Sequence, residues 1–162
     1  MIIKNARRTA VALALVTFAA ASAQAQATQT VTFAVNAINQ IAFVGAPSLT
    51  ITTAVAGSAP TSVTDASATW AVTTNQTGAK ISASIPTVMP TGLTLSSNLT
   101  APGGATSAGY QALGTVAVDL VTVITKLAAG SLAVNYKLDA TAAAGVVATG
   151  TRIVTYTITG GT

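Results

Sequence analysis

Leu132-Ala133-Val134-Asn135-Tyr136-Lys137-Leu138 sets a large apolar side chain on every second residue, with Ala133, Asn135 and Lys137 between them. Successive side chains of an extended backbone point to opposite faces. The stretch therefore reads as a strand with Leu132, Val134, Tyr136 and Leu138 on a core and the rest toward solvent. A helix would scatter those four residues around its circumference.

The same period of two recurs outward in both directions. Toward the N-terminus, Trp70, Val72 and Thr74 share a face, then Ile81, Ala83 and Ile85, then Leu93, Leu95 and Leu99. Earlier still, Val31, Phe33 and Val35 alternate with Thr32 and Ala34, and Ile41 and Phe43 with Gln40 and Ala42. Leu49 and Ile51 follow the turn-forming Gly45-Ala46-Pro47. The stretches 110–113 and 116–124 are less regular, and a final strand is expected over Arg152 to Thr159. Asn75-Gln76-Thr77-Gly78 has the residues of a hairpin connection, because Asn and Gly tolerate positive φ, and predicts that its flanking strands pair. Ala140 to Ala144 is too short and too close to Gly145 for more than a turn of helix. About nine short strands without crossover helices predict an all-β, antiparallel, immunoglobulin-like β-sandwich.

The start of the chain reads differently. Lys4, Arg7 and Arg8 precede the apolar stretch Val11 to Ala21, and Ala21-Ser22-Ala23 or Ala23-Gln24-Ala25 supplies a small-x-small cleavage site. Residues 1–25 are therefore expected to be a secretory signal peptide, cut at Ala23 or Ala25, and 26–162 a single domain. The apolar run falls short of the about 20 residues that cross a bilayer, so no membrane span is expected in the mature chain. With no Cys there is no lipid attachment site of the lipobox kind, and the protein is expected to be released to the cell surface, the medium or the periplasm.

Removing that leader changes the charge. The whole chain carries +4, but the mature part keeps only Lys80, Lys126, Lys137 and Arg152 against Asp65, Asp119 and Asp139. Four scattered cations make no phosphate-tracking surface, so nucleic-acid binding is not expected. Glu, His and Cys are absent altogether. General acid–base catalysis, nucleophile activation and transition-metal binding draw mostly on those residues, so neither an enzyme nor a cofactor or metal site is expected. The three Asp lack the clustering that a calcium site needs. Trp70 is in phase with Val72 and belongs to a core rather than a sugar platform. Thr155, Thr157 and Thr159 reflect ordinary β-propensity on a polar face.

What the surface lacks is informative. Soluble domains usually devote roughly a quarter or more of their surface to charged residues, and edge strands are commonly blunted by Lys, Glu or Pro. This chain has almost none to spend. An exposed strand edge can instead be completed by an extended segment from a neighbour. The segment Thr28 to Val35 is the best candidate donor, with Val31, Phe33 and Val35 as its contact residues. Its alternative role is the first strand of its own domain.

Together with the leader, three motifs resemble small secreted β-sandwich subunits of bacterial surface fibres, of the spore-coat pilin and biofilm-matrix kind. They are Thr28-Gln29-Thr30-Val31-Thr32-Phe33, Trp70-Ala71-Val72-Thr73-Thr74 and Ile153-Val154-Thr155-Tyr156-Thr157-Ile158-Thr159. The paired Cys common in chaperone–usher subunits is missing. The resemblance implies a Greek-key sandwich that polymerises by strand donation and has no catalytic site. The expected function is a structural protein of the cell surface that associates with itself or with another surface protein. The alternative is a monomeric binding module for a polysaccharide or a surface protein, using loops 56–66 and 101–109.

Overall fold

A computed structural model describes residues 24–161. The signal peptide expected over 1–25, with its cleavage residue Ala23, lies outside the described residues but for Gln24 and Ala25. The chain divides into two units, 1–34 and 35–162, and every described strand belongs to the second.

That unit is all-β. Nine strands run in order: β1 Asn39–Val44, β2 Val63–Thr74, β3 Ala79–Ser84, β4 Leu93–Leu99, β5 Thr106–Ser107, β6 Gln111–Ala112, β7 Val118–Ile124, β8 Leu127–Ala140 and β9 Thr155–Thr159. They form two antiparallel sheets, one ordered β1-β2-β8-β4-β6 and the other β5-β7-β3-β9. The stretch 140–150 holds one turn of 3-10 helix, Ala142–Ala144. No helix among the described residues is long and apolar enough to cross a membrane.

Alternation sets the core. In β2, Trp70, Val72 and Thr74 are buried while Thr69 and Thr73 are exposed, and in β3 Ala79, Ile81 and Ala83 are buried. Strand β8 contributes Val134 and Tyr136, and Leu95 and Leu99 come from β4. These residues from both sheets form one apolar cluster with Trp70, 1% exposed, as its largest member. Its indole N–H donates to the Thr100 carbonyl at 3.2 Å, so the polar handle is satisfied.

Four expectations need correction. The run 31–35 forms no strand, and neither does 49–52. Both can alternate, but alternation supplies a face and not a ladder partner. Asn75-Gln76-Thr77-Gly78 is not a hairpin turn: β2 pairs with β1 and β8, whereas β3 lies in the other sheet, so the segment carries the chain from one sheet to the other. The final strand begins at Thr155 rather than Arg152. Strand β7, in the stretch expected to be less regular, breaks alternation: Leu120 and Val121 are both buried, and its pairing with β3 slips between Ile81 and Ser82 and between Ala79 and Ile81. Val123 takes φ +61 there, an outlier for a β-branched residue and the local conformation of a bulge.

Candidate assembly surface

Each sheet has free edges among the described residues, and one edge strand of each adjoins backbone that makes no backbone hydrogen bonds. Strand β9 pairs with β3 on one side only. It turns Tyr156 and Ile158 inward and leaves Thr155, Thr157 and Thr159 exposed, so no charge guards its edge. Just before it, residues 146–151 make no backbone–backbone hydrogen bond among the described residues. Nor do residues 49–52, which follow β1, the edge strand of the other sheet. Gly45 ends β1 with φ +124, where a Cβ would lie 2.6 Å from the Ala68 Cα. Only glycine fits that approach.

Between these two unpaired runs lies a cavity of about 530 Å³. Leu49, Ile51, Met89, Leu93 and Leu138 give it apolar walls, and Arg152 lines it. The Arg152 Nη1 donates to the Thr151 carbonyl at 2.9 Å and Nη2 to the Val88 carbonyl at 3.2 Å. Its Nε is buried and has no hydrogen-bond partner among the described residues. Both ion pairs among the described residues, Lys80–Asp119 and Lys137–Asp139, each at 3.0 Å, leave Arg152 out.

Where the sheets meet beside β1 and β9, the core is aromatic and polar together. The Phe43 and Tyr156 rings stack with centroids 3.9 Å apart. The Tyr136 and Tyr156 hydroxyls hydrogen-bond at 2.7 Å, and Ser97, fully buried, reaches the Tyr156 hydroxyl at 3.2 Å. Burial pushes both phenols above the ordinary tyrosine range, so they stay neutral. Phe43 is thus held by a ring that is itself held by hydrogen bonds.

The proposed donor residues lie in the open. Residues 24–38 carry no strand, and Val31, Phe33 and Val35 are 74%, 90% and 80% exposed. The alternative of an ordinary first strand within its own sheet is therefore not the arrangement found. The three aspartates are spread apart and each is engaged. Asp65 is held below the usual carboxylate range by the Ser67 hydroxyl and by the Ser48 and Ser67 amides. Asp139 is held low by the Ser62 hydroxyl and then by Lys137, and Asp119 pairs with Lys80. Loops 56–66 and 101–109, expected as binding loops, are partly strand: β2 starts at Val63 and β5 occupies Thr106–Ser107. Of the residues bounding the cavity, Pro60 alone comes from 56–66 and none comes from 101–109.

Sequence reasoning missed the cavity and Arg152. The available signal was a lone cation in the otherwise uncharged stretch 140–161. The fold and its open edges define a two-sheet, all-β protein with an unpaired, uncharged strand edge. Comparison with known proteins finds no matching family model, no similar curated protein and no similar solved structure.

Proposed function

We propose that this is a non-catalytic secreted structural protein of the cell surface, an immunoglobulin-like Greek-key sandwich whose copies associate by β-strand addition. The segment 28–35 of one copy pairs with the free edge of β9 in another. The observation that carries this reading is the coincidence of an exposed, strandless run of alternating apolar residues with an unguarded strand edge.

Strand order supports the immunoglobulin-like assignment. In that architecture one sheet runs A-B-E-D and the other C-F-G; β1-β2-β8-β4 and β3-β9 match A-B-E-D and C-F, with β6 added beside β4 and β7 and β5 beside β3. The place of strand G then corresponds to the free side of β9. An incoming segment there would supply the missing neighbour.

Magnitudes say what the donor must contribute. Burying Val31, Phe33 and Val35 is worth roughly 4.5–9 kcal/mol gross, at about 1.5–3 kcal/mol for each side chain. Ordering the backbone costs about 1–2 kcal/mol per residue, so side-chain burial alone does not suffice. Ladder hydrogen bonds must add to it, and losing two anchors should be enough to stop association. The test is light scattering with negative-stain microscopy on residues 26–162 purified without denaturant. Filaments or large oligomers are expected, and they should vanish both on removing residues 26–35 and in the Val31→Asp/Phe33→Asp variant. A wild-type monomer, or unchanged polymer length in the double variant, overturns strand donation.

A further inference from the structure

We infer that the cavity between residues 49–54 and 147–152 is a binding site for a small monoanion, a carboxylate carried on an apolar body, with Arg152 as its anchor. This site is separate from the edge of β9 and does not depend on self-assembly.

Arg152 lines the cavity and forms no ion pair among the described residues. Two of its N–H donors go to the Thr151 and Val88 carbonyls, which fix the guanidinium without neutralising it. The Nε is buried and has no partner among the described residues, and each Nη keeps a second N–H. Buried polar groups in folded proteins almost always have partners, so an orphan donor on a charged side chain beside a cavity points to a group not supplied by the chain itself. A carboxylate fits a guanidinium, which can present two N–H donors to its two oxygens.

The acidic side chains of a second copy are poor candidates for that carboxylate. Asp65, Asp119 and Asp139 are the only acidic side chains it has. All three are engaged, with the Ser48 and Ser67 amides, with Lys80 and with Lys137. The donor segment 28–35 is uncharged. Phosphate is a poorer match, because a dianion would face a single cation: Lys80 and Lys137 are paired, and Lys126 is not among the residues that line the cavity.

The body of the ligand follows from the walls. Leu49, Ile51, Met89, Leu93 and Leu138 present apolar surface beside the threonines at 50, 52, 53, 141 and 149, without an aromatic platform on which a sugar ring could stack. The volume of about 530 Å³ lies within the roughly 300–1,000 Å³ typical of small-ligand sites. An aliphatic acid of medium length meets the charge and the walls together.

Isothermal titration calorimetry of the purified protein with octanoate tests the site, with 1-octanol, acetate and galacturonate as comparisons. Octanoate should bind at one site per chain, and 1-octanol and acetate at least tenfold more weakly. Arg152→Gln should weaken octanoate at least tenfold while leaving the circular dichroism spectrum unchanged. If that variant does not fold, the wild-type protein decides: binding should fade as pH falls through the ligand's own carboxyl pKa. Absence of octanoate binding at millimolar concentration overturns the site. Equal affinity in a folded Arg152→Gln variant, or binding that persists with the protonated acid, overturns the role of Arg152. Galacturonate binding in preference to octanoate overturns the apolar body.

Discussion

Two stretches of this chain are written in the same alternating code and end in opposite conditions. Leu132 to Leu138 lies in β8, a central strand with β2 on one side and β4 on the other, and its Val134 and Tyr136 are buried. Val31 to Val35 has an equally regular alternation, yet it forms no strand and its three large side chains are exposed. Alternation thus specifies that a segment can bury one face, not where the covering partner is. For β8 the partner is in the same chain. For 31–35 the proposed partner is another copy.

The largest expected effect breaks this comparison on one side only. Trp70→Ala should destabilise the fold by about 3–5 kcal/mol, the range for emptying a large aromatic site in a packed core. Phe33→Ala should move the folding stability of the monomer by no more than about 0.5 kcal/mol, as for surface substitutions. Urea denaturation of dilute, monomeric protein measures both. A Phe33→Ala loss comparable to that of Trp70→Ala would mean that 31–35 folds onto its own body, and strand donation would lose its donor.

A smaller effect sharpens the comparison at the place where β9 joins the core. The Tyr136 and Tyr156 phenols have folded pKa values raised above about 10 by burial. The folded state therefore binds protons more tightly than the unfolded chain. Its stability is unaffected below about pH 10 and falls as pH rises above that, because the unfolded tyrosines ionise first. Tyr156→Phe removes one of these groups and leaves the Tyr136 and Ser97 hydroxyls without their shared partner. It should cost about 1–3 kcal/mol near neutral pH, the penalty for stranding buried polar groups, and flatten the alkaline fall. Thermal melts at pH 7 and pH 11 test it, and an equally steep alkaline loss in the variant would place the responsible ionisation elsewhere.

Much of the fold was legible because the core is written in side-chain phase. Trp70, Val72, Ile81, Ala83, Leu95, Leu99 and Val134 are all where alternation placed them. Sheet membership was not legible. Asn75 to Gly78 has good hairpin residues, but β2 already has β1 and β8 as neighbours, so β3 had to go to the other sheet. That competition is tertiary, and no local window contains it. The same holds for the candidate site. The open edge of β9 depends on which strands pair, and the isolation of Arg152 depends on where the three aspartates lie in space. Its sequence neighbours Thr151 and Ile153 say neither.

The smallest effect concerns β7, where Val123 takes a left-handed conformation inside a strand. Val123 sits at φ +61 in a stretch whose pairing slips against β3. For a side chain with a Cβ this left-handed region costs about 1–2 kcal/mol, and glycine avoids it. Val123 is also more than half exposed, so truncating it forfeits little burial. Against that gain stands the greater freedom of glycine in the unfolded chain, worth about 0.4–1 kcal/mol. Val123→Gly should therefore stabilise the fold by about 0.5–1 kcal/mol, whereas Val118→Gly, at the start of the same strand, should destabilise it. Denaturant midpoints of the two variants give the comparison directly. If Val123→Gly also destabilised, β7 would be an ordinary strand at that position.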